Sequence, residues 1–573
     1  MTESQTQAFK SVLLNASRIY YEYLDSHHLG LEELKINSVA FIYDKTNEAN
    51  YEMLLSVKAT FVNADSLVLC FKGTFLEISE ANGLELIDYD EKSQTFRIGF
   101  ASSNLYKDFQ KNQSQIKIFT DLKFLIKNLE NFFLDSHSFQ LPSLAAKKSH
   151  TLRESISDEQ KEAILNILNH PLTYIWGPPG SGKTQVVLFE SLLYYINHNQ
   201  PVCVLAPTNN ALEQILRALI RKFDELGLNR EKLLRLGMPT NAFLESYIEV
   251  CDPQITQKKQ KQSLFGAQNL KSRLNEALVI GMTIDGFIRR FKTLDVKFKH
   301  IFLDECAFTP LIKTATLCTQ GIPLTLLGDH KQLMPICEMP QKEIHGDKAY
   351  ANLFNLSSLF LEELFEEPIT KDSAILSKTQ FSPAIHKHTK ISNLIKTHRY
   401  GNNLAKILDK HIYHNGLCGN QSQTQLLFVD CGRTPPVDKT NLKEAQMVAK
   451  IYQQLKNEDI AIITPFVKQK KLLNECGIPY KFLWTIHGSQ GQEFDSVIFS
   501  PVALHHHLTN SQNLNAAYAL NVAISRIKKR LIIVCDYAYW IKFQNQFLSD
   551  ILRESTPFFA LNANNKNIQV VSL

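Results

Sequence analysis

The sequence predicts an α/β protein of two parallel-sheet lobes preceded by a smaller unit of helices and antiparallel strands. Three observations carry this. Short apolar runs, PLTYIW, PVCVLAP, ALVIGM, HIFLDE and IPLTLLGD, alternate with helix-like segments before residue 340. A second set, QLLFVD, DIAIITP, SVIFSP and RLIIVC, begins near residue 425. Near-continuous apolar strands spaced by helices are what a parallel sheet covered on both faces requires. The chain has 573 residues, several times the roughly 100 to 200 of one domain, which leaves room for both lobes and a third unit.

In chain order, residues 5 to 27 carry Phe9, Val12, Leu13, Ile19, Tyr20 and Tyr23 at near-helical spacing. Residues 121 to 135 repeat the pattern with Leu122, Leu125, Ile126, Leu129 and Phe132. Between these helices, LLSVKATFV, SLVLCFKGTFLEI, LELIDYD and QTFRIGFA are β-branched and aromatic segments broken by Asn, Asp and Gly, as in a small antiparallel sheet or barrel. The expected domains are 1–150 for this unit, 151–345 for the first lobe and 346–573 for the second. Residues 216 to 276, helix-rich and ending in the basic run TQKKQKQ (256–262), are expected to form a helical insertion outside the first lobe.

Composition narrows the class without naming a function. At 44% hydrophobic and 21% charged residues, with 22 Gly and 20 Pro, collagen-like and wholly disordered chains are excluded. Lys and Arg number 62 against 57 Asp and Glu, a net +5 that permits an anionic partner and decides nothing more. Ten cysteines occur without a single C-x-x-C, so neither a zinc ribbon nor a disulfide framework is suggested and a reducing, cytoplasmic compartment is expected. No apolar run reaches the roughly 18 to 20 residues that span a bilayer, and MTESQTQAFK lacks the regions of a signal peptide, so no membrane association is expected. His505, His506 and His507 have no Cys or carboxylate at ligand spacing and are not expected to hold a metal.

The chemistry concentrates in residues 177 to 184, GPPGSGKT, which fit G-x-x-x-x-G-K-[ST]. The strand LTYIW runs into this loop and QVVLFESLLYYI leaves it as a helix, so the backbone amides of Gly177, Pro178, Pro179, Gly180, Ser181 and Gly182, proline excepted, can face phosphate. Lys183 would reach the β- and γ-phosphates of ATP and the Thr184 hydroxyl would take a Mg2+ position. A loop of this kind needs a carboxylate at a neighbouring strand end. HIFLDECAF supplies Asp304 for the metal and Glu305, which can take a proton from the water attacking the γ-phosphate. Taken alone such a pair is a solvated strand end; the loop gives it meaning. LTLLGDHKQL places Gln332 where it could sense the γ-phosphate, and Gln160 lies upstream where a side-chain amide can read the adenine edge.

With these residues in place the chain resembles the superfamily 1 helicases, most closely the up-frameshift and senataxin branch. Gln160, GPPGSGKT, APTNNAL (206–212), LLRLG (233–237), the Asp-Glu of HIFLDE, GDHKQL (328–333), HRYGNN (398–403), IITPF (462–466), TIHGSQGQEFD (485–495) and LNVAISR (520–526) occur in the family order. SLFLEEL (358–364), IYHNGL (412–417) and NLKEAQMV (441–448) look similar as well. The wording of TIHGSQGQEF is closer to the RecD-like relatives. Thr397 and His398 replace the usual Gln-Tyr before Arg399, and the continuation after Asp304-Glu305 is Cys-Ala.

The resemblance implies two RecA-like lobes with ATP and Mg2+ in the cleft between them. Arg399 and Arg526 would stabilise charge on the transferring phosphoryl group, Glu493 would approach the ribose or phosphates, and Gly491 would admit close backbone approach. Single-stranded DNA or RNA would cross Pro207, Thr208, Asn209 and Thr283 of the first lobe and Pro465, Phe466, Thr485 and His487 of the second. Phe466 and Trp484 are the aromatic candidates for base stacking. An ATP-dependent helicase or translocase running 5′ to 3′ is implied. The rival expectations are an ATPase that remodels protein–nucleic acid complexes without unwinding, and a nucleotide-binding scaffold without turnover. With no nuclease or Cys/His-rich signature in the chain, any effector activity is expected from a protein partner.

Overall fold

The structure is a computed structural model, and it describes residues 3–44, 50–58, 67–78, 82–90, 93–135, 139–144, 146–253, 255–256, 270–357, 389–433, 435–489, 491–503 and 514–558. The segments SLFLEEL and most of TQKKQKQ, and His505 to His507, lie outside these residues.

The amino-terminal unit is a helix pair around a sheet. Glu3–Ser26 packs along Leu122–Asp135, burying Leu13, Ala16, Leu24, Leu129 and Phe133, while Arg18 and Glu130 pair at 2.9 Å on the outer side. The same apolar stripe is shared with Leu311, Ala315 and Phe354 of the first lobe, so the helices are docked on that lobe. Between them seven antiparallel strands follow the order Thr74–Glu77, Leu67–Phe71, Ile116–Asp121, Leu31–Asp44, Asn50–Lys58, Thr95–Phe100, Leu84–Asp90. Strict in-out burial along Thr95–Phe100 marks a sheet with one face on a core.

The first lobe is a seven-stranded sheet in which every described pairing is parallel. The order is Leu233–Arg235, Val279–Thr283, Val202–Ala206, Ile301–Leu303, Leu324–Gly328, Leu172–Trp176, Lys390–Asn393. Its central strands are buried along their whole length, with a separate apolar cluster on each face. The expected lobe boundary at 345 differs from this sheet, because Lys390–Asn393 forms its edge beside the strand that enters the phosphate loop.

The expected insertion over 216–276 overlaps elements of this sheet. Asn209–Glu225 is the crossover helix of the sheet: Leu212, Ile215, Leu216, Leu219, Ile220 and Phe223 face the core while the opposite side is polar. Leu233–Arg235 is an edge strand of the sheet, and Leu270–Glu276 runs up to the next strand.

The second lobe has six parallel strands in the order Leu483–Thr485, Ile460–Thr464, Phe494–Phe499, Ile527–Cys535, Gln425–Asp430, Thr556–Pro557. Helices Leu442–Leu455 and Val467–Glu475 lie over one face, Asn402–Leu408, Leu514–Ile524 and Phe547–Arg553 over the other. The architecture is α/β, with two RecA-like lobes.

Candidate nucleotide site between the lobes

The strand Leu172–Trp176 delivers the chain to the phosphate loop, and Lys183–Leu188 then Phe189–Asn197 carry it away as a helix. Gly180 and Gly182 hold φ of +80° and +86°, the left-handed region that glycine adopts without steric cost. Within the loop the Gly177 amide donates to the Gly328 carbonyl at 3.3 Å and the Ser181 amide to the Pro178 carbonyl at 3.2 Å. Lys183 Nζ donates to the carbonyls of Gly177 (2.6 Å) and Pro178 (3.2 Å), which holds the ammonium across the loop mouth. Ser181 Oγ is buried and has no hydrogen-bond partner among the described residues.

Across from the loop, Ile301–Leu303 ends in Asp304 and Glu305. Thr184 Oγ1 donates to Asp304 Oδ2 at 2.6 Å, and the other carboxylate oxygen accepts the Glu305 amide at 2.9 Å. Burial raises the Asp304 pKa above its ordinary value, against the donation from Thr184. Burial and then the neighbouring Asp304 raise that of Glu305, opposed by Lys183 and Arg526. Glu305 has φ +54°, uncommon for a residue with a side chain, and the turn separates it from its strand neighbour. A hydroxyl beside a carboxylate at the foot of a phosphate loop is a hard-oxygen pair suited to Mg2+.

The second lobe closes this site. Thr397 Oγ1 donates to the Pro179 carbonyl at 2.7 Å and the His398 amide to the Gly180 carbonyl at 2.9 Å, so Lys396–Gly401 lies against the loop. Arg399, carried by that strand, donates from Nη1 to the Ser525 carbonyl at 2.9 Å and pairs through Nη2 with Glu493; its Nε has no partner among the described residues. Burial works to raise the Glu493 pKa but is outweighed by Arg399 and Lys528, so the net shift is downward. Arg526 is 3% exposed, donates to Gln332 Oε1 at 2.8 Å and has its pKa lowered to about 10 by burial and by Arg399. Unpaired donors on Ser181 and Arg399, with Lys183 and Arg526 beside them, make a site that an anion would complete.

The expected residues divide accordingly. Loop residues Gly177 to Thr184 meet Asp304, Glu305, Gln332, Arg399 and Arg526 at the lobe junction. Gly491 lies against the first lobe, where a β-carbon would meet Gln214 Oε1 at 3.1 Å. Gln160 is 4% exposed beside the loop. Its Nε2 donates to the Ser181 carbonyl at 3.0 Å and its Oε1 accepts the Ser157 amide at 3.4 Å in a capping box. An adenine edge would have to displace those bonds.

Among the expected nucleic-acid contacts, Thr208 is exposed, with Pro207 and Asn209 half-buried beside it at the start of Asn209–Glu225. Asn209 Oδ1 accepts from the buried Arg235 at 2.9 Å. Thr283 is 8% exposed and its hydroxyl caps Ile284–Arg290. Pro465 and Thr485 are half-buried at strand ends, and the His487 side chain lies outside the described residues. Phe466 is 6% exposed, at the start of Val467–Glu475. Trp484 packs beside Phe494 with ring centres 5.9 Å apart, half-buried against the second-lobe core. Thr397 was not among the expected site residues; the only signal was its place in a departure from the Gln-Tyr pattern.

Two family models, each described as an AAA domain, match residues 155–273 and 360–538, together more than half of the chain. ATP-dependent helicase upf1 of Schizosaccharomyces pombe is 23% identical over 541 residues, covering 81% of this chain and 55% of that protein. RNA helicase Mov10l1 of Mus musculus is 22% identical and covers 69% of this chain and 35% of its own length. An uncharacterized ATP-dependent helicase of Methanocaldococcus jannaschii is 22% identical over 66% of this chain and 68% of its own. The chain thus spans about half or less of the length of the first two relatives. Among solved structures, a crystal structure of arterivirus nonstructural protein 10 (helicase) covers 88% of this chain and 79% of its own at 13% identity and a TM-score of 0.39.

Proposed function

We propose that the chain, which carries two AAA-domain matches and resembles the up-frameshift-like superfamily 1 helicases, is an ATP-dependent helicase or translocase moving 5′ to 3′ on single-stranded nucleic acid. One observation carries the reading: Thr184, Asp304 and Glu305 of one lobe face Arg399 and Arg526 of the other across the phosphate loop. Thr184 and Asp304 would hold Mg2+, which supplies charge neutralisation on the β- and γ-phosphates when bound.

Glu305 accepts a proton from water as its oxygen attacks the γ-phosphorus. The bond from that phosphorus to the β,γ-bridging oxygen breaks, leaving ADP and inorganic phosphate, and Glu305 returns the proton to solvent. Lys183, Arg399 and Arg526 stabilise the negative charge that spreads over the transferring group. Because the arginines come from the second lobe, turnover needs the lobes apposed, and loss of phosphate removes an attraction between them. Repeated apposition steps the strand along the loop ends near Pro207, Thr208, Pro465 and Thr485. The proposed setting is reducing and cytoplasmic, on the sequence pattern of ten cysteines without a C-x-x-C. A protein partner would supply any effector chemistry.

The test is ATP turnover with and without single-stranded DNA and RNA, at two salt concentrations because phosphate contacts weaken as salt rises, with Lys183→Ala as control. Stimulation by one polymer, lost in the variant, supports the motor and names its track. No turnover with either polymer refutes it. Strand displacement on a tailed duplex then separates a helicase from an ATPase that only remodels complexes.

A further inference from the structure

Behind Gln332 lies a carboxylate that none of the chemistry above uses. Asp329 is 1% exposed and gathers four donors. Its Oδ1 accepts from the Trp176 indole N–H at 3.1 Å and the Lys331 amide at 3.0 Å; its Oδ2 accepts from Gln332 Nε2 at 3.0 Å and the Tyr413 hydroxyl at 2.7 Å. Trp176 ends the strand that enters the phosphate loop, and Gln332 holds Arg526 through its other amide atom. Tyr413 comes from the second lobe, at the end of Asp409–Tyr413. Asn521, on the second-lobe helix Leu514–Ile524, completes the cluster by donating from Nδ2 to the Tyr413 hydroxyl at 2.9 Å and to the Lys331 carbonyl at 2.8 Å. Tyr413 and Asn521 are both buried.

A buried anion is tolerated only with its lone pairs satisfied, so these bonds are strong and geometrically demanding. Gln332 and Tyr413 share one carboxylate oxygen. If the Gln332 amide turns toward a nucleotide, Asp329 Oδ2 keeps only the bond from the second lobe. If the lobes part, it keeps only Gln332. The cluster therefore joins the loop strand, the γ-phosphate sensor and the second lobe through a single side chain. Burial and the nearby Asp329 keep the phenol protonated, hence a donor, across the physiological range.

We propose that Tyr413 and Asn521 are positioning residues that couple docking of the second lobe to the nucleotide state of Gln332 through Asp329. They act through Gln332 and Asp329. The proposal rests on the lobe-junction nucleotide site described above, although not on the identity of the nucleic acid.

The experiment places a fluorophore pair on the full chain, at exposed Leu226 of the first lobe and Tyr480 of the second, and titrates a non-hydrolysable ATP analogue with Mg2+. In wild type the analogue changes the inter-lobe distance. In Tyr413→Phe, which removes only the hydroxyl, the analogue concentration for half-maximal change is expected to rise about tenfold, the scale of one hydrogen bond to a charged group. Asn521→Ser, which removes the amide from the same cluster, is expected to give a similar rise, and the double variant little more than either alone, as for residues acting as one unit. Superimposable titrations of wild type and both variants, fully additive shifts, or a wild type whose inter-lobe distance ignores the analogue would each overturn the coupling. Nucleic-acid stimulation of turnover is read on the same samples. Its absence in wild type would sink the motor reading while the distance titration still decides the relay.

Discussion

Replacing Gly180 by alanine tests whether contact between the lobes, rather than the loop alone, makes the site. The motif leaves position 180 unconstrained, since its required glycines are Gly177 and Gly182. The structure constrains it twice. A β-carbon there would lie 2.8 Å from Thr397 Oγ1 and 3.1 Å from the Arg399 amide, and closer still to the Arg399 β-carbon, where ordinary contact begins at 3.4 Å. The residue also holds φ +80°, which costs a side-chain-bearing residue about 1 to 2 kcal/mol. The backbone cost stays within the first lobe and should lower the unfolding midpoint by only a few degrees, on the order of 2 to 4 °C per kcal/mol. The steric overlap must be relieved by moving the strand that carries Arg399 outward, by about 1 Å, and displacements of that size at a reacting centre cost about 100-fold. Phosphate-release turnover should therefore fall about 100-fold while a melt shows a folded protein. Turnover within threefold of wild type would refute the reasoning, because it would mean that Arg399 need not sit where the closed arrangement puts it.

Glu305→Gln should lower turnover by about 100- to 10,000-fold with a fluorescent nucleotide still binding, as expected on losing a general base; an unaffected rate would remove Glu305 from that role. The wild-type rate should also decline on the acid side at a pH above the ordinary carboxylate range, since burial and Asp304 raise the Glu305 pKa and only the ionised form can accept a proton. Thr184→Val should raise the Mg2+ concentration for half-maximal turnover by about 10- to 100-fold, checked by titration. Glu444 is a stability test. Its carboxylate accepts from Ser500 Oγ at 2.6 Å and the Val502 amide at 3.0 Å, yet burial pushes its pKa up to about 8 from 4.5. The folded state thus binds the proton more tightly, so this stabilisation is full below pH 4.5 and lost as pH rises through about 8, up to about 5 kcal/mol at roughly 1.36 kcal/mol per unit. Melts of wild type and Glu444→Gln from pH 5 to 9 should diverge accordingly; parallel curves would contradict the assignment.

The strands of both lobes were legible because a buried parallel strand must be apolar throughout, and PVCVLAP, ALVIGM and DIAIITP say so locally. The strand Leu31–Asp44 was missed for the opposite reason. Only Leu34 in it is fully buried, so no period of two is written in its side chains. Leu233–Arg235 and Lys390–Asn393 are edge strands of three and four residues, one hidden in a helix-rich stretch and one largely polar. The burial of Phe466, 6% exposed, was not legible either, since an aromatic beside a strand end reads alike whether it faces solvent or core.

By itself the sequence determined the phosphate loop, its lysine and threonine, and the two carboxylates at a strand end. Those roles depend on backbone dihedrals, amide directions and donor types within a few residues, and such requirements leave local patterns. Only the tertiary structure decided what meets them: Thr397 on the Pro179 carbonyl, Arg399 over Gly180, Arg526 on Gln332, Tyr413 on Asp329. These partners are separated by 84 to 218 positions where the bond is between side chain and neighbour. Each is held by close packing of the two lobes, and no periodicity along the chain records which side chains such packing brings together.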